Sequence, residues 1–160
     1  MSTKTIRQAI VETLAGITAG QSPTGSAYVY VNTLSGTKQV RSGKFERPPM
    51  GHPASHPFAC VWTIAVSEEP ATLSAFGQEG QFGILAWAPA SPQLESARQD
   101  ASEDLLDDLR AALRANPKLG GTVVKFSAGA TTFQDEEDQT SKRLPWGICS
   151  IGLAATWRER

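Results

Sequence analysis

The chain has 160 residues, of which 40% are apolar and 19% charged, and its formal net charge is −1. That length suits a single soluble domain with a real core. Near-neutrality excludes a global field drawing in nucleic acid or an acidic membrane, and no basic face of the kind a duplex binder carries is concentrated anywhere.

The first predicted element is a helix. Ile6, Ile10, Leu14 and Ile17 recur at helical spacing, with Arg7, Gln8 and Glu12 between them. Thr3 is the expected N-cap, and Gly16 and Gly20 weaken and end the element. Met1-Ser2-Thr3-Lys4 has no apolar signal core behind it, so a cytoplasmic site of synthesis is expected. After a loop at Ala19–Gly25, Ala27-Tyr-Val-Tyr-Val31 is rich in β-formers and predicts a strand.

Asn32–Pro57 follows, a segment with four cations (Lys38, Arg41, Lys44 and Arg47), several glycines and several prolines. A connection of this length in a compact domain points to a functional arm, partly hairpin-like around Gly36, or to a mobile loop. The reading taken is an interaction arm, so that removing Ser35–His52 spares the fold.

Phe58–Val66 alternates, with Phe58, Cys60, Trp62, Ile64 and Val66 on one face and Ala59, Val61, Thr63 and Ala65 on the other. Gly80–Trp87 predicts a further strand, ended by Pro89. Ser91-Pro92 then opens an amphipathic helix that runs to Ala115. Its apolar stripe is Leu94, Ala97, Ala101, Leu105, Leu109 and Ala112, widened by Leu106 and Leu113. Glu95, Asp100, Glu103, Asp104, Asp107 and Asp108 are assigned to the solvent side, and Arg110, Arg114 and Lys118 gather late, as the helix dipole favours. Asn116-Pro117-Lys118-Leu119-Gly120-Gly121 closes it. Thr122–Phe126, extended through Ser127–Phe133, and Pro145–Trp157 predict the last strands, separated by the polar run Gln134–Arg143. The fold class is therefore α+β over residues 1–160: a mostly antiparallel sheet of about five strands, two helices on one face, and the 32–57 arm between early strands.

Candidate chemistry is sparse. His52, His56 and Cys60 are four apart and would align on a helix as metal ligands, but Pro53 and Pro57 forbid a helix there. Two loop histidines and a core thiol are the favoured reading, with no metal and no cofactor. Cys60 and Cys149 lie in apolar strand interiors and are expected as free thiols; a disulfide would require their strands to pair. Gly120-Gly121 lacks the Lys-Ser/Thr of a phosphate loop. Asp135-Glu136-Glu137-Asp138 is either an exposed hairpin tip or a loop placed on an assembly surface. Trp62, Trp87, Trp146 and Trp157 suit core or subunit contacts, and only Trp157, beside Arg158 and Arg160, has the basic neighbours of a base-stacking platform.

The stretch ASPQLESARQDASEDLLDDLRAALRANPKLGGTVVKF, set after a helix, a strand and a variable arm and before an acidic loop and a closing strand, resembles the tail terminator (tail completion) proteins of long-tailed bacteriophages. The matching core is Leu105–Val124, a leucine-patterned helix, a polar turn, Leu-Gly-Gly and a strand, with Gly147–Thr156 as the final strand. The resemblance implies a non-enzymatic virion protein, assembled in the host cytoplasm and resident in the tail. It implies a homo-oligomeric ring, usually of six subunits, that caps the tail-tube protein and offers a docking face to a head-completion or connector protein. DNA would pass through without specific binding, and no membrane is involved. On that reading Lys38, Arg41, Lys44, Arg47 and Trp157 are subunit or partner contacts. Asp135, Glu136, Glu137 and Asp138 would face the lumen or an assembly surface, where six copies would place about 24 carboxylates that repel phosphate. The rivals are another tail-tube or neck subunit, and a small cytoplasmic enzyme, which would need a pocket with convergent polar groups.

Overall fold

Ser2, one residue ahead of the expected Thr3, caps the first helix: its Oγ accepts from the Thr5 N–H at 3.2 Å. The computed structural model describes residues 2–72, 75–90, 95–121, 125–134 and 146–158. The protein is α+β, with helix α1 (Thr3–Ala15), strands β1 (Val40–Ser42), β2 (Phe58–Thr72) and β3 (Ala75–Pro89), helix α2 (Glu95–Ala115), and strands β4 (Lys125–Gln134) and β5 (Trp146–Arg158). Four strands are long and antiparallel, in the order β2-β3-β5-β4; the three-residue β1 lies parallel to β2 at the edge and makes the sheet mixed.

Both helices cover the same face. Ile6, Ile10 and Leu14 of α1 and Leu105, Leu109 and Leu113 of α2 share one buried cluster with Ala59, Val61, Phe82, Ile84, Ile151 and Leu153 of the sheet. The period-2 pattern read in β5 holds: Cys149, Ile151, Leu153, Ala155 and Trp157 are all buried on this side. Gly147 lets β5 pass beneath α2, since a Cβ there would collide with the carbonyl of Arg98 and crowd Ser102. At the far end of α2, Asn116 Oδ1 accepts from the Gly120 N–H (2.8 Å) and its Nδ2 donates to Thr13 Oγ1 of α1 (3.0 Å). The Leu-Gly-Gly turn then runs in left-handed backbone, with Leu119 buried at φ 46° and the two glycines at φ 69° and 89°.

Three expectations change. Ala27–Val31 is not a strand of the sheet. Its Tyr30 exchanges hydrogen bonds with Gly20 and Gln21, both 2.9 Å, and Tyr28 and Val31 tie the segment to Asp108 of α2. Asp108, assigned above to the solvent side, is fully buried. The arm, expected to be dispensable, is part of the fold. It supplies Leu34 to the main core and β1 to the sheet, and Gln39, itself buried, donates to the carbonyls of Thr33 (3.0 Å) and Pro57 (3.1 Å) at the arm's two ends. Its Phe45 and His52 pack edge-on against Phe58, over the sheet face that the helices leave open. Deleting Ser35–His52 would therefore uncover Phe58, Cys60 and Trp87. The cap expected at Ser91-Pro92, and Leu94 with it, lie outside the described residues, as do Thr122–Val124.

We expect Leu109→Asp, which buries a carboxylate between α2 and the sheet, to cost about 3–5 kcal/mol. Chemical denaturation measures this, and a variant that melts like the parent would refute the core assignment.

Candidate interface on the open face of the sheet

The face away from the helices carries Phe58, Cys60 and Trp62 of β2, then Trp87, Leu85 and Gly83 of β3 opposite them, then Ile148, Ser150 and Gly152 of β5. Its two ends differ. At one end Phe58, Cys60, Trp87 and Ile148 form a second, buried cluster closed by the arm through Phe45, with Trp146 beside it. At the other end the sheet is only half covered, with Trp62, Leu85, Ser150 and Gly152 half-buried. There the arm and the sheet leave an open groove of about 570 Å³, with Lys44, Phe45, Glu46 and Arg47 on one wall and Trp62, Ile64, Gly83, Leu85, Ser150 and Gly152 on the floor and opposite wall.

Local sequence explains this shape. Gly83 lacks the Cβ that would strike the Trp62 indole, so that ring lies flat on the β3 backbone. The Lys44 ammonium stands 5.8 Å from the same ring, a cation–π contact at the groove wall. Between Thr63 and Ala65 the ladder slips by one residue, a bulge that leaves Ile64 unpaired and 55% exposed beside the groove. The small β5 residues Ser150 and Gly152 keep the floor low.

The structure brings together part of the sequence-predicted set. Lys44 and Arg47 are exposed on the groove wall. Arg41 stands opposite Cys60 in register, hence on the same face, and its Nε donates to the Lys38 carbonyl at 3.4 Å. Lys38 is exposed in a left-handed turn at φ 62°. Trp157 does not join them. It is 1% exposed within the helix-side core, packed against Phe82, so the interface and base-stacking readings of this residue are corrected. Asp135, Glu136, Glu137 and Asp138 lie outside the described residues.

The residues weighed for chemistry separate. His52 Nε2 donates to the His56 carbonyl (2.9 Å), and His56 Nδ1 shares a hydrogen bond with Ser55 Oγ (3.2 Å), so the pair clasps its own loop. Cys60 sits on the arm side and points its thiol at the Phe45 carbonyl. Cys149 pairs with Ala86 and faces the helices. The two thiols are thus on opposite faces of the sheet and both are free. Burial pushes Cys60 up and raises Cys149 to about 12, the opposite of what activates a nucleophile. Among the described residues no three His, Cys, Asp or Glu side chains could hold a metal ion, and no helix is long and apolar enough to cross a membrane.

The residue that sequence reasoning missed is Asp108. Its Oδ1 accepts from Tyr28 Oη (2.8 Å) and the Val31 N–H (3.0 Å), and its Oδ2 from the Asn32 N–H (2.7 Å) and Nδ2 (2.9 Å). Burial and this carboxylate raise the Tyr28 phenol above its usual range. No protein-family model matches the chain, and no curated protein is significantly similar to it in sequence.

Asp108→Ala would strand three backbone and side-chain donors of Val31 and Asn32, and we expect a loss of about 3–5 kcal/mol, with Asp108→Asn recovering part of it. Denaturant titration gives the size, and amide exchange at Val31 and Asn32 gives the location; unchanged protection there would refute the assignment. For the thiols, Cys149 should resist a disulfide reagent at pH 8 in the native protein and react once denaturant is added. Prompt native labelling of Cys149 with the fold intact would contradict its burial.

Proposed function

We propose that this chain is a structural subunit of a phage-tail assembly, a tail terminator that forms a closed ring of about six copies capping the tail tube and presenting a docking face to the head. The observation that carries the reading is the half-open sheet. One face is sealed by two helices, while the other is closed by the arm at one end and open at the next, with Trp62, Ile64 and the cations Lys44 and Arg47 around the opening. A cyclic ring uses heterologous contacts, so each subunit needs two different complementary patches rather than one self-complementary patch. The resemblance over Leu105–Val124 gives independent support. In this arrangement the Asp135–Asp138 run faces the lumen or an assembly surface, and DNA passes without being gripped.

The nearest rival is a tube or connector subunit of the same tail, which differs in how it assembles rather than in what it is made of. The groove gives less to an enzyme: its charged groups are two cations and a carboxylate on an exposed wall, with the Ser150 hydroxyl on the floor, not a convergent set in a closed pocket.

Size-exclusion chromatography with light scattering, native mass measurement and cryo-electron microscopy of the purified chain test the reading. Closed rings one subunit thick are expected. Long cylinders would favour the tube protein, and a monomer at every concentration would overturn the proposal.

A further inference from the structure

Three rows of residues cross the open face of the sheet: Phe58, Trp87 and Ile148, then Cys60, Leu85 and Ser150, then Trp62, Gly83 and Gly152. The arm seals the first row and half of the second, so that Phe58, Cys60, Trp87 and Ile148 are all buried. Yet no residue from Arg41 to His56 is itself buried. A cover that excludes water from what lies beneath it, while staying on the surface, has few contacts of its own to hold it down.

Lys44–Met50 is tied to the sheet lightly. The Phe45 ring stands edge-on to Phe58 at 5.4 Å, the Cys60 thiol points at the Phe45 carbonyl across 4.0 Å, and the Lys44 ammonium lies 5.8 Å from the Trp62 ring. Glu46, Arg47 and Met50 are exposed. Pro48 and Pro49 have no N–H to donate, and they stiffen the middle of the segment. The two ends are better held. The Gly43 N–H donates to the Val61 carbonyl at 2.8 Å, while His52 donates to the His56 carbonyl and packs against Phe58 at 5.3 Å. A glycine in left-handed backbone stands at each end, Gly43 at φ 115° and Gly51 at φ 85°. A side chain at Gly51 would meet nothing within 4 Å, so glycine there serves the backbone path and not the packing.

We propose that Lys44–Met50 is a strap that lifts as a unit about Gly43 and Gly51 while the sheet and both helices stay folded. Closed, it divides the open face into a sealed aromatic row and the groove. Open, it joins Phe58, Trp87 and Ile148 to Trp62 and Leu85 as one apolar floor and bares Cys60. Cys149 lies under the helices on the other face and is not reached by this motion. The strap is a device of the single chain and does not rest on the ring reading of the preceding subsection.

The two thiols test it. The native chain is exposed to a disulfide reagent at pH 8, labelling is read by peptide mass mapping, and each thiol's rate is divided by its own rate in full denaturant. Cys60 should label about a hundredfold or more faster than Cys149 on this scale. Low denaturant should leave the Cys60 rate nearly flat and raise the Cys149 rate steeply, because lifting a strap exposes little surface and unfolding exposes much. Leu109→Ala, which weakens the helix side in the strap-open and strap-closed states alike, should speed Cys149 about thirtyfold and leave Cys60 unchanged. Phe45→Ala should speed Cys60 about tenfold, and Gly51→Ala, which strains the closed backbone, about fivefold. Near-ultraviolet circular dichroism confirms the fold of each variant. Equal rates and slopes for the two thiols, or a Leu109→Ala that speeds both alike, would show that Cys60 is reached only by global unfolding and would overturn the strap. So would a Cys60 rate that ignores both Phe45→Ala and Gly51→Ala. Amide exchange across the β2–β3 ladder at Cys60 and Leu85 should stay as slow as global unfolding; exchange there as fast as Cys60 labelling would mean that β2 peels away, and the strap would again be wrong.

Discussion

A buried carboxylate on an otherwise acidic helix determines the path of everything between the first helix and the arm. Asp108 accepts four hydrogen bonds, two on each oxygen, all from Tyr28, Val31 and Asn32. Withdrawn from water without partners, such a group would cost several kcal/mol; with its lone pairs occupied by donors it becomes a fixed point. The donors include consecutive backbone N–H groups, so the chain is held at Val31–Asn32 and not merely near them. Leu34 then enters the core, and its N–H and that of Ser35 both reach the Ile17 carbonyl, at 2.8 Å and 3.1 Å. The arm starts from that point, and Gln39 ties its start to its end. Loss of the Asp108 contacts would therefore loosen the arm's root, some distance from the groove the arm walls.

The two faces of the sheet are closed by different means, and that difference makes the groove. Helices cover the first face with a continuous apolar stripe. The arm covers only as far as its aromatic residues reach, from Phe45 and His52 to Phe58. Past that point the sheet depends on small residues, a Trp62 ring lying on Gly83, and a bulge that turns Ile64 outward. A longer arm or a bulky side chain at 152 would have filled the same space. The opening is thus a property of specific residues on the floor and not of a missing element.

How much of this is legible in the sequence depends on whether the signal is periodic. The second helix is readable because its leucines repeat at helical spacing, and β5 because its apolar residues alternate. Asp108 illustrates a conflict between two rules. It falls three residues after Leu105 and four before Ala112, inside the stripe by geometry, yet its chemistry assigned it to solvent. Geometry prevailed because Tyr28 and Asn32 bring donors, and those partners lie 76 to 80 residues away in the chain. Ala27–Val31 shows the converse: its alternation is real, with Tyr30 buried and Val29 and Val31 exposed, but β-propensity does not encode a ladder partner, and the backbone is bound by the carboxylate and by Gln21 instead. Trp157 has arginine neighbours, but its place in the alternation puts it with Cys149 and Leu153, and that place decides its burial. The groove itself has only a faint trace, since Trp62 and Gly83 meet through strand register.

The net charge of −1 conceals a separation of charge along the chain. Asn32–Pro57 carries four cations against one acid, and Val66–Gln81 three acids and no cation, so that the sum describes neither segment. Where the basic segment lies is set by how firmly the arm is rooted: Lys44 and Arg47 stand on the groove wall, and the hydrogen bonds of Asp108 to Val31 and Asn32 fix the chain where the arm begins. Asp108 touches neither cation and bears on the groove only through that root.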